Sequence, residues 1–415
     1  MDMAYNNDDF SRLEINLAGC LDNYKYFRSK LEDSTKLLVL VKANAYGHGA
    51  VEFASVMEKA GADYMAVAYP VEGIELRQGG IKSQIMVLTA GTDFFNEIID
   101  NELEPGIPNL TTLKALCQVL AERGVENYPI HIKLDTGMHR LGFMSEELGE
   151  LIAYLKGCRR VHVKSVYSHL AASDDPTHDE FTLEQIDLFK ANADRMTSAL
   201  GYKPMYHILN SAGIERFPQY QFDMVRLGIG IYGVSALPDV SLCPVASFKC
   251  KILQVKTLCS SDGTIGYGRH GKIAPEGTVI ATIPVGYADG LDRHLSVQHR
   301  GGMGIGTDTV VDDEGIVTIV IIELCHGIAL PLAVDAIAAA GIDDHGGMHL
   351  AILVEVCGHT IRKGDVLIKQ RDVILPNFHI LNHNRHSFTK LLYCIRKSRP
   401  PTVRIVSPRP RRWDR

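Results

Sequence analysis

A lysine that follows a short apolar segment is the first residue in the chain with clear chemical potential. Residues 37–41 are five consecutive apolar residues, too few to cross a membrane, and they predict a buried strand that ends at Lys42. An amine at the end of such a strand loses hydration, which lowers its pKa and makes it a better nucleophile and base. Schiff-base chemistry therefore becomes available at Lys42. The structural alternative is a lysine at a strand end with its ammonium in water.

The elements that must position this lysine repeat along the first half of the chain. From residue 36 to about 238, eight short apolar segments alternate with helical patterns. Such alternation requires a parallel sheet with right-handed crossovers, and eight units favour an α/β fold closed as a (β/α)8 TIM-like barrel. An open doubly wound sheet is the alternative, although no G-x-G-x-x-G sequence follows the first strand.

Polar residues occupy the carboxyl ends of five of these strands, where barrels place their catalytic groups. They are Lys42, residues 135–140, His169, Asn210 with Ser211, and Arg226. In the fifth strand, period-two alternation places Lys133 on the face opposite Ile132 and Leu134, so Lys133 should point into the barrel. A buried lysine needs a partner or a neutral form. A surface pair between Lys133 and Asp135 is the alternative.

Two segments closely resemble motifs of the alanine racemases. Residues 41–49 (VKANAYGHG) are similar to the motif whose lysine binds pyridoxal 5'-phosphate, which implies that Lys42 carries this cofactor and that Tyr46 lies beside its phosphate. Residues 132–142 (IKLDTGMHRLG) are similar to the motif in which a carbamylated lysine orients the arginine that binds the substrate carboxylate. Lys133 and Arg140 occupy these two positions.

Residues after the last two barrel strands also match the family. The resemblance implies that Ser211 and the backbone at Gly228 and Ile229 hold the phosphate, where barrels commonly bind one. It also implies that Arg226 meets the pyridine nitrogen. Because an arginine is always protonated, it keeps that nitrogen unprotonated and makes the ring a weaker electron sink. The other positions that match cofactor contacts are Leu88, His169 and Asn210.

Past residue 240 short strands follow one another without helices, which predicts a β-rich domain. Residues 265–269 (IGYGR) resemble the family segment with the second catalytic acid/base, at Tyr267, and residues 284–290 (PVGYADG) resemble the segment with a substrate-pocket tyrosine, at Tyr287. In alanine racemases these tyrosines act across a dimer interface. The resemblance therefore implies a homodimer with shared active sites, whereas Tyr267 without it would be an ordinary strand tyrosine.

The predicted domains are the cofactor-binding barrel at 10–240, the β-rich domain at 241–375 and a basic tail at 376–415. The family match runs from about residue 12 to about 296, and the C-M-D-Q segment is absent, so the β-rich domain is incomplete or atypical. From residue 396 onward the tail holds eight basic residues and one acid, which predicts no stable fold. A displaced reading frame or a recombined end would explain this change, and an intact single frame in the source DNA would contradict that hypothesis.

Composition excludes several classes of protein. The net charge of −6 and the sequence pI of about 6.3 argue against nucleic acid or a membrane surface as a partner. The acidic, polar first residues do not form a signal peptide, so we expect a cytoplasmic protein. Nine cysteines without a C-x-x-C pair predict reduced thiols. The spacing of His345, His349, Cys357 and His359 matches no zinc pattern, so no metal site is predicted.

The resemblance implies a racemase that interconverts L-alanine and D-alanine and supplies D-alanine for peptidoglycan. Lys42 and Tyr267 would act as bases on opposite faces of the substrate α-carbon. A second interpretation is an amino-acid decarboxylase with the same type of barrel and cofactor, but Arg226 argues against it because decarboxylation benefits from a protonated ring nitrogen. A third is a cofactor-binding barrel without activity, favoured if residues 297–415 cannot complete the second domain.

Overall fold

The computed structural model describes residues 11–284, except 252, 267, 268, 270 and 276, and the backbone of five later strands. These residues form two units. One unit is Leu17–Val245, and the other combines the residues before Leu17 with those from Ala246 onward. The first strand, β1 (Ser11–Ile15), therefore belongs to the second unit.

Eight parallel strands of the first unit form one sheet in the order β8-β7-β6-β5-β4-β3-β2-β9. They are β2 (Lys36–Leu40), β3 (Tyr64–Val67), β4 (Gln84–Val87), β5 (Leu103–Ile107), β6 (Tyr128–Lys133), β7 (Val161–Tyr167), β8 (Met205–His207) and β9 (Met224–Leu227). Two backbone hydrogen bonds join the β8 and β9 segments, from Asp223 N–H to Tyr206 O (3.2 Å) and from Arg226 N–H to Leu209 O (3.0 Å). The sheet is thus nearly closed, and the prediction of a TIM-like barrel is confirmed.

The helices of this unit follow the strands as the sequence pattern predicts. They are α1 (Leu17–Arg28), α2 (Lys42–Tyr46, a short left-handed turn), α3 (Ala50–Lys59), α4 (Pro70–Gln78), α5 (Phe95–Asp100), α6 (Leu110–Glu122), α7 (Leu148–Gly157), α8 (Asp179–Leu200) and α9 (Ser211–Arg216), with 3-10 turns at Pro176–His178, Pro218–Tyr220 and Ile229–Tyr232. In α3 the buried side chains Phe53, Ala54 and Met57 recur at helical spacing. No helix in the described part of the chain combines the length and apolarity that a membrane crossing needs.

The apolar runs in the strands are continuous because both faces of the sheet are buried. In β2, Leu37 and Val39 belong to the larger apolar cluster that includes the helices. Leu38 and Leu40 belong to a smaller cluster, which also contains Tyr64 of β3. The strand that leads to Lys42 is therefore fixed from both sides.

The second unit consists of strands. Those with described bounds are β10 (Ala246–Lys251), β11 (Gln254–Leu258), β12 (Thr264–Ile265), β13 (Gly271–Lys272), β14 (Thr278–Ile283), β15 (Thr309–Val311), β16 (Val317–Ile321), β17 (Val334–Ile342), β18 (Met348–Val356) and β19 (Thr402–Ile405), with a 3-10 turn at Ser260–Asp262. They form sheets in the orders β18-β17-β10-β1-β19, β11-β14-β16-β15 and β12-β13. The unit is rich in strands, as predicted.

Two features of this unit differ from the sequence prediction. The barrel domain was expected to begin at residue 10, but β1 pairs antiparallel with β10 in the second unit. Leu13 and Ile15 are buried and alternate with polar residues, a pattern that suits an antiparallel sheet with one wet face. In the tail, β19 pairs with β1, where no structure was expected. Its β-branched residues Thr402, Val403 and Ile405 favour a strand.

We predict that Gly142→Ala destabilises the protein more than Gly124→Ala does. Both glycines have positive φ, but a Cβ at Gly142 would lie 2.6 Å from Asp135 N, whereas a Cβ at Gly124 meets nothing within 4 Å. The backbone clash, together with a φ of +131° at Gly142 against +68° at Gly124, should make Gly142→Ala about 2 kcal/mol more destabilising. Thermal unfolding of the two variants measures the difference. Equal losses would show that the loop from Asp135 to Gly142 is not closely packed.

Candidate active site

Lys42 lies at the carboxyl end of the first barrel strand, as the sequence predicts. It begins α2 directly after Val41 and is half-buried. Its Nζ lies 5.9 Å from the centre of the Tyr46 ring. Burial lowers the pKa of Lys42, the nearby Arg140 guanidinium lowers it further, and Glu72 partly opposes both effects. The amine therefore has more of its reactive neutral form than a surface lysine has.

Lys133 is buried on the inner face of the barrel, where alternation in β6 places it. Its Nζ lies 6.0 Å from the centre of the Tyr167 ring. Burial lowers the pKa of Lys133 to about 8, helped by the charges of Arg140, Arg226 and Lys42 and opposed by Asp135. The lysine is therefore close to half neutral at mildly alkaline pH.

Asp135 has a different role from the surface partner considered for Lys133. It is buried, and its Oδ1 accepts hydrogen bonds from the Gly137 and His139 backbone N–H groups, both at 3.0 Å. Asp135 thus fixes the loop that leads to Arg140. Among the described residues no ion pair joins it to Lys133, so the surface-pair alternative is wrong.

Arg140 is exposed, and within the described ranges its guanidinium has neither a hydrogen-bond nor an ion-pair partner. It is close enough to Lys42 and Lys133 to lower the pKa of both lysines. A planar guanidinium fork of this kind suits a carboxylate, which it can bind through two parallel hydrogen bonds. Among the described residues none of these three side chains has an ion-pair partner, so together they form an anion-binding region at the mouth of the barrel.

Arg226 is buried at the end of β9. Its Nη1 donates to His207 O (3.1 Å) and lies 3.0 Å from His207 Nδ1, and its Nη2 donates to Ser168 O (2.6 Å) and Ile208 O (2.9 Å) and lies 3.2 Å from His169 Nδ1. Burial and the nearby cations hold the pKa of both histidines well below the ordinary value, so they are neutral acceptors. Burial lowers the pKa of Arg226 to about 10, which leaves it charged at neutral pH. Within the described residues its Nε–H has no partner and remains available to a ligand.

A chain of buried hydrogen bonds runs from Arg226 across the barrel. Because a guanidinium only donates, His207 Nδ1 accepts and His207 Nε2–H donates to Ser165 Oγ (2.8 Å). Ser165 Oγ lies 2.6 Å from His131 Nδ1, and His131 Nε2–H donates to Glu104 Oε2 (2.9 Å). Burial alone would raise the pKa of Glu104, but the contacts with His131 and with Lys164 lower that pKa. The charges of Arg226 and Glu104 therefore fix the protons on Nε2 of His207 and on Nε2 of His131.

Ser211, Gly228 and Tyr46 form a small polar cradle. The backbone N–H groups of Gly228 and Gly230 donate to Ser211 Oγ at 2.9 and 3.0 Å. A Cβ at Gly228 would lie 3.2 Å from Tyr46 Oη and 3.8 Å from Ser211 Oγ, so the glycine keeps the space between two hydroxyl groups open. Burial raises the pKa of Tyr46 to about 12, which keeps its hydroxyl protonated as a donor. The cradle has the donors that a phosphate needs.

The remaining predicted cofactor contacts occupy supporting positions. Asn210 Oδ1 accepts from Gly213 N–H (2.9 Å) and from Ser173 Oγ (2.8 Å), and it thereby fixes the start of α9, where Ser211 lies. Leu88 packs against the apolar cluster inside the barrel. Ile229 is 41 % exposed beside Gly228.

These residues fit pyridoxal 5'-phosphate. Lys42 offers an amine for its aldehyde, and the cradle at Gly228 offers the hydroxyl groups of Ser211 and Tyr46 for its phosphate. The Nε–H of Arg226 offers a charged donor for its ring nitrogen. Tyr267 and Tyr287 lie outside the described residues, so their roles stay predictions.

The comparisons with known proteins agree with this geometry. The family models "Alanine racemase, N-terminal domain" and "Alanine racemase, C-terminal domain" match residues 15–236 and 245–310. The chain belongs to the alanine racemase family. The match of the second model extends past residue 296, where the recognisable motifs end.

Individual members of the family are similar over most of this chain. The alanine racemase of Synechocystis sp. is 35 % identical over 292 residues, which are 69 % of this chain and 77 % of the relative. The alanine racemase structure from Clostridium difficile 630 has a TM-score of 0.70 at 30 % identity and covers 80 % of this chain and 87 % of its own. A Bartonella henselae alanine racemase structure, with covalently bound pyridoxal phosphate, has a TM-score of 0.66 at 25 % identity over 76 % of this chain and 87 % of its own. The family is composed of pyridoxal-phosphate-dependent racemases.

Sequence reasoning missed several residues that shape the site. Glu72, Glu104, Ser165, Tyr167 and His207 were not identified as relevant, although all contact or influence the predicted residues. Period-two alternation in β7 places Ser165 and Tyr167 on one face, and this signal could have found them. The side chains of His345, His349, Cys357 and His359 lie outside the described residues. Among the described residues no group of three or more His, Cys, Asp or Glu side chains could hold a metal ion.

We predict that Gly228→Ala weakens cofactor binding at least tenfold. The added methyl group would enter the space between Tyr46 Oη and Ser211 Oγ, and a loss of about 1.4 kcal/mol corresponds to this factor. Equilibrium titration with pyridoxal 5'-phosphate measures the change. Gly157→Ala is the matched control, since a Cβ there meets nothing within 4 Å. Unchanged affinity in Gly228→Ala would contradict the placement of the phosphate.

Proposed function

We propose that the residues of this site interconvert L-alanine and D-alanine, with Lys42 and Tyr267 as the two acid/base groups. Membership in the alanine racemase family supports the reaction and the cofactor. The roles of individual residues rest on the geometry of the barrel mouth and, for Tyr267, on its motif alone.

The proposed substrate site is built around Arg140. Its unpartnered guanidinium would bind the alanine carboxylate, and this would place the α-carbon near the amine of Lys42. Lys42 would remove or return the α-proton on one face, and Tyr267 of a partner subunit would do so on the other. Tyr287 would line the same pocket. The observation that carries this proposal is the convergence of Lys42, Lys133 and Arg140, none of which has an ion-pair partner among the described residues.

The cofactor, when bound, supplies an aldehyde for amines and a ring that delocalises the electron pair left by the α-proton. Ser211, Tyr46 and the backbone at Gly228 and Ile229 would hold its phosphate. Arg226 would donate a hydrogen bond from its Nε–H to the ring nitrogen. Because a guanidinium keeps its own proton, the ring nitrogen would remain unprotonated. This arrangement supports a proton exchange and argues against the decarboxylase alternative.

The proposed context of the reaction follows the family. We infer a homodimer with shared active sites, because the second base and the pocket tyrosine would come from a partner chain. We also infer a cytoplasmic enzyme that supplies D-alanine for peptidoglycan, with alanine as its small-molecule partner and without nucleic acid or membrane.

A racemisation assay on the purified full chain, run beside size-exclusion chromatography, tests this function. Formation of D-alanine from L-alanine by a dimer is the expected result. Release of carbon dioxide would select the decarboxylase. Binding of the cofactor at Lys42 without conversion of L-alanine would select the third interpretation, a cofactor-binding barrel without activity.

We predict that Lys42→Ala abolishes both racemisation and cofactor labelling by borohydride, because no other amine takes its place. Tyr267→Phe should keep the label at Lys42 but lower kcat by about 10² or more, since it removes one of two proton-transfer groups. Peptide mapping and kcat measurements read these outcomes, with Tyr220→Phe as the control tyrosine. A label that persists in Lys42→Ala would refute the assignment of the lysine.

We propose further that Lys133 is carbamylated by carbon dioxide. Only a neutral amine reacts in this way, and the pKa of Lys133, lowered to about 8, gives a larger neutral fraction than surface lysines have. The carbamate should therefore increase as the pH rises toward 8, and its negative charge would pair with Arg140.

Carbon-13 NMR with labelled bicarbonate tests this prediction. The carbamate signal should disappear in Lys133→Ala and remain in Lys190→Ala, which removes a lysine on the surface. The KM for alanine should rise about tenfold in Lys133→Ala, because Arg140 loses the carbamate that orients its guanidinium toward the substrate carboxylate. A carbamate signal that is retained in Lys133→Ala would place the modification elsewhere.

A further inference from the structure

The segment that begins with Lys42 has an unusual backbone. Ala43, Asn44, Ala45 and Tyr46 have φ between +51° and +56°, so four consecutive residues with side chains are left-handed. A Cβ is disfavoured in this region, and residues there are usually isolated. Such strain persists at functional sites only where surrounding contacts hold the backbone in place.

Bonds within the segment account for only part of this support. Ala45 N–H donates to Val41 O (2.8 Å) and Gly47 N–H donates to Ala43 O (3.0 Å). Neither bond uses the N–H of Ala43, the first amide after Lys42. That group needs an acceptor from another part of the chain.

The acceptor is Glu72, which lies in the first turn of α4. Its Oε1 accepts from Ala43 N–H at 2.7 Å. Its Oε2 accepts from Ala68 N–H at 2.7 Å and from Tyr69 N–H at 3.1 Å. One carboxylate therefore joins the lysine turn to the end of β3 and the start of α4, and both of its oxygens face donors only.

We propose that Glu72 is a positioning residue for Lys42, which fixes the left-handed turn so that the amine emerges at one place in the barrel mouth. The inference rests on the proposed function in treating Lys42 as the reacting lysine. Glu72 lies 30 residues further along the chain and does not need to touch the substrate. It acts through the backbone and through its negative charge.

The negative charge of Glu72 also affects the protonation of Lys42. Burial and Arg140 lower the pKa of Lys42, and Glu72 limits this decrease. A neutral residue at position 72 should therefore lower that pKa further, in addition to loosening the turn.

Conservative substitutions cannot replace this carboxylate. Glutamine has the same size, but one of its two terminal groups is a donor, so it must lose either the Ala43 contact or the Ala68 and Tyr69 contacts. Aspartate keeps the charge, but its side chain is one methylene shorter and cannot span the same two sets of donors. Glu75→Gln is a matched control, because Glu75 is exposed on the same helix.

The first measurement is hydrogen exchange of the full chain, read by mass spectrometry on peptides that cover residues 42–49. In Glu72→Gln and Glu72→Asp we expect exchange in this segment to accelerate about tenfold or more, while Glu75→Gln matches the unmodified chain. The second measurement is the pH dependence of Lys42 acetylation in the full chain freed of cofactor. Its midpoint should move to lower pH in Glu72→Gln and less in Glu72→Asp.

In the cofactor-loaded enzyme, Glu72→Gln should lower kcat about tenfold and change KM for alanine by less than about twofold, because the carboxylate contact of Arg140 is retained. If exchange at residues 42–49 and the Lys42 midpoint are unchanged while only the thermal midpoint falls, Glu72 is merely a helix cap and the proposal is wrong. Should Glu72→Gln fail to fold, the exchange data on Glu72→Asp decide the question. Borohydride mapping of Lys42 tests the proposed function separately, so the two failures are distinguishable.

Discussion

A guanidinium buried inside the barrel imposes the main constraint on the mouth of this protein. Arg226 keeps its charge only because carbonyl oxygens of Ser168, His207 and Ile208 surround it. These carbonyls come from the carboxyl ends of β7 and β8, whereas Arg226 ends β9. The three strands must therefore end side by side, and the backbone bond from Arg226 N–H to Leu209 O, which helps to close the sheet, belongs to the same arrangement.

The charge of Arg226 also affects Lys133 at the mouth of the barrel. Arg226 and Arg140 both lower the pKa of Lys133, and Arg140 lowers that of Lys42. Cations held close together by a rigid fold repel one another until an anion arrives. Phosphate and carboxylate groups relieve this repulsion, so the charges that make Lys42 reactive also favour the binding of an anionic cofactor and an amino acid. Arg140 thus contributes to the recognition of anions and, beside burial, to the reactivity of Lys42.

Local sequence patterns predicted the parts of the site that depend on strand ends. Lys42 and Arg226 were found because each directly follows or ends an apolar run, and alternation in β6 placed Lys133 on the inner face. Glu72 could not be found in this way. It acts on a backbone group 29 positions earlier, and such a contact leaves no periodic signal. Tyr267 is known from its motif alone, so its role stays a prediction.

Long-range pairing limited the prediction of the fold as well. Alternation in β1 indicates a strand, but only its partner shows which sheet it joins. The proton chain from His207 to Glu104 has the same character, since its members come from different strands. Taken alone, each of these residues would be interpreted as structural, for example as a buried histidine or as a serine in a strand.

The pairing of β1 with β10 has a consequence for biosynthesis. Ser11–Ile15 is synthesised before the barrel, yet its antiparallel partner begins only at Ala246. All of Leu17–Val245 is synthesised in between, so the barrel can assemble while β1 is still an unpaired edge strand. Such an edge is open to pairing with other chains. The charged pair of Arg12 and Glu14 on this strand, with Nε and Oε1 2.8 Å apart, would discourage mispairing during that interval.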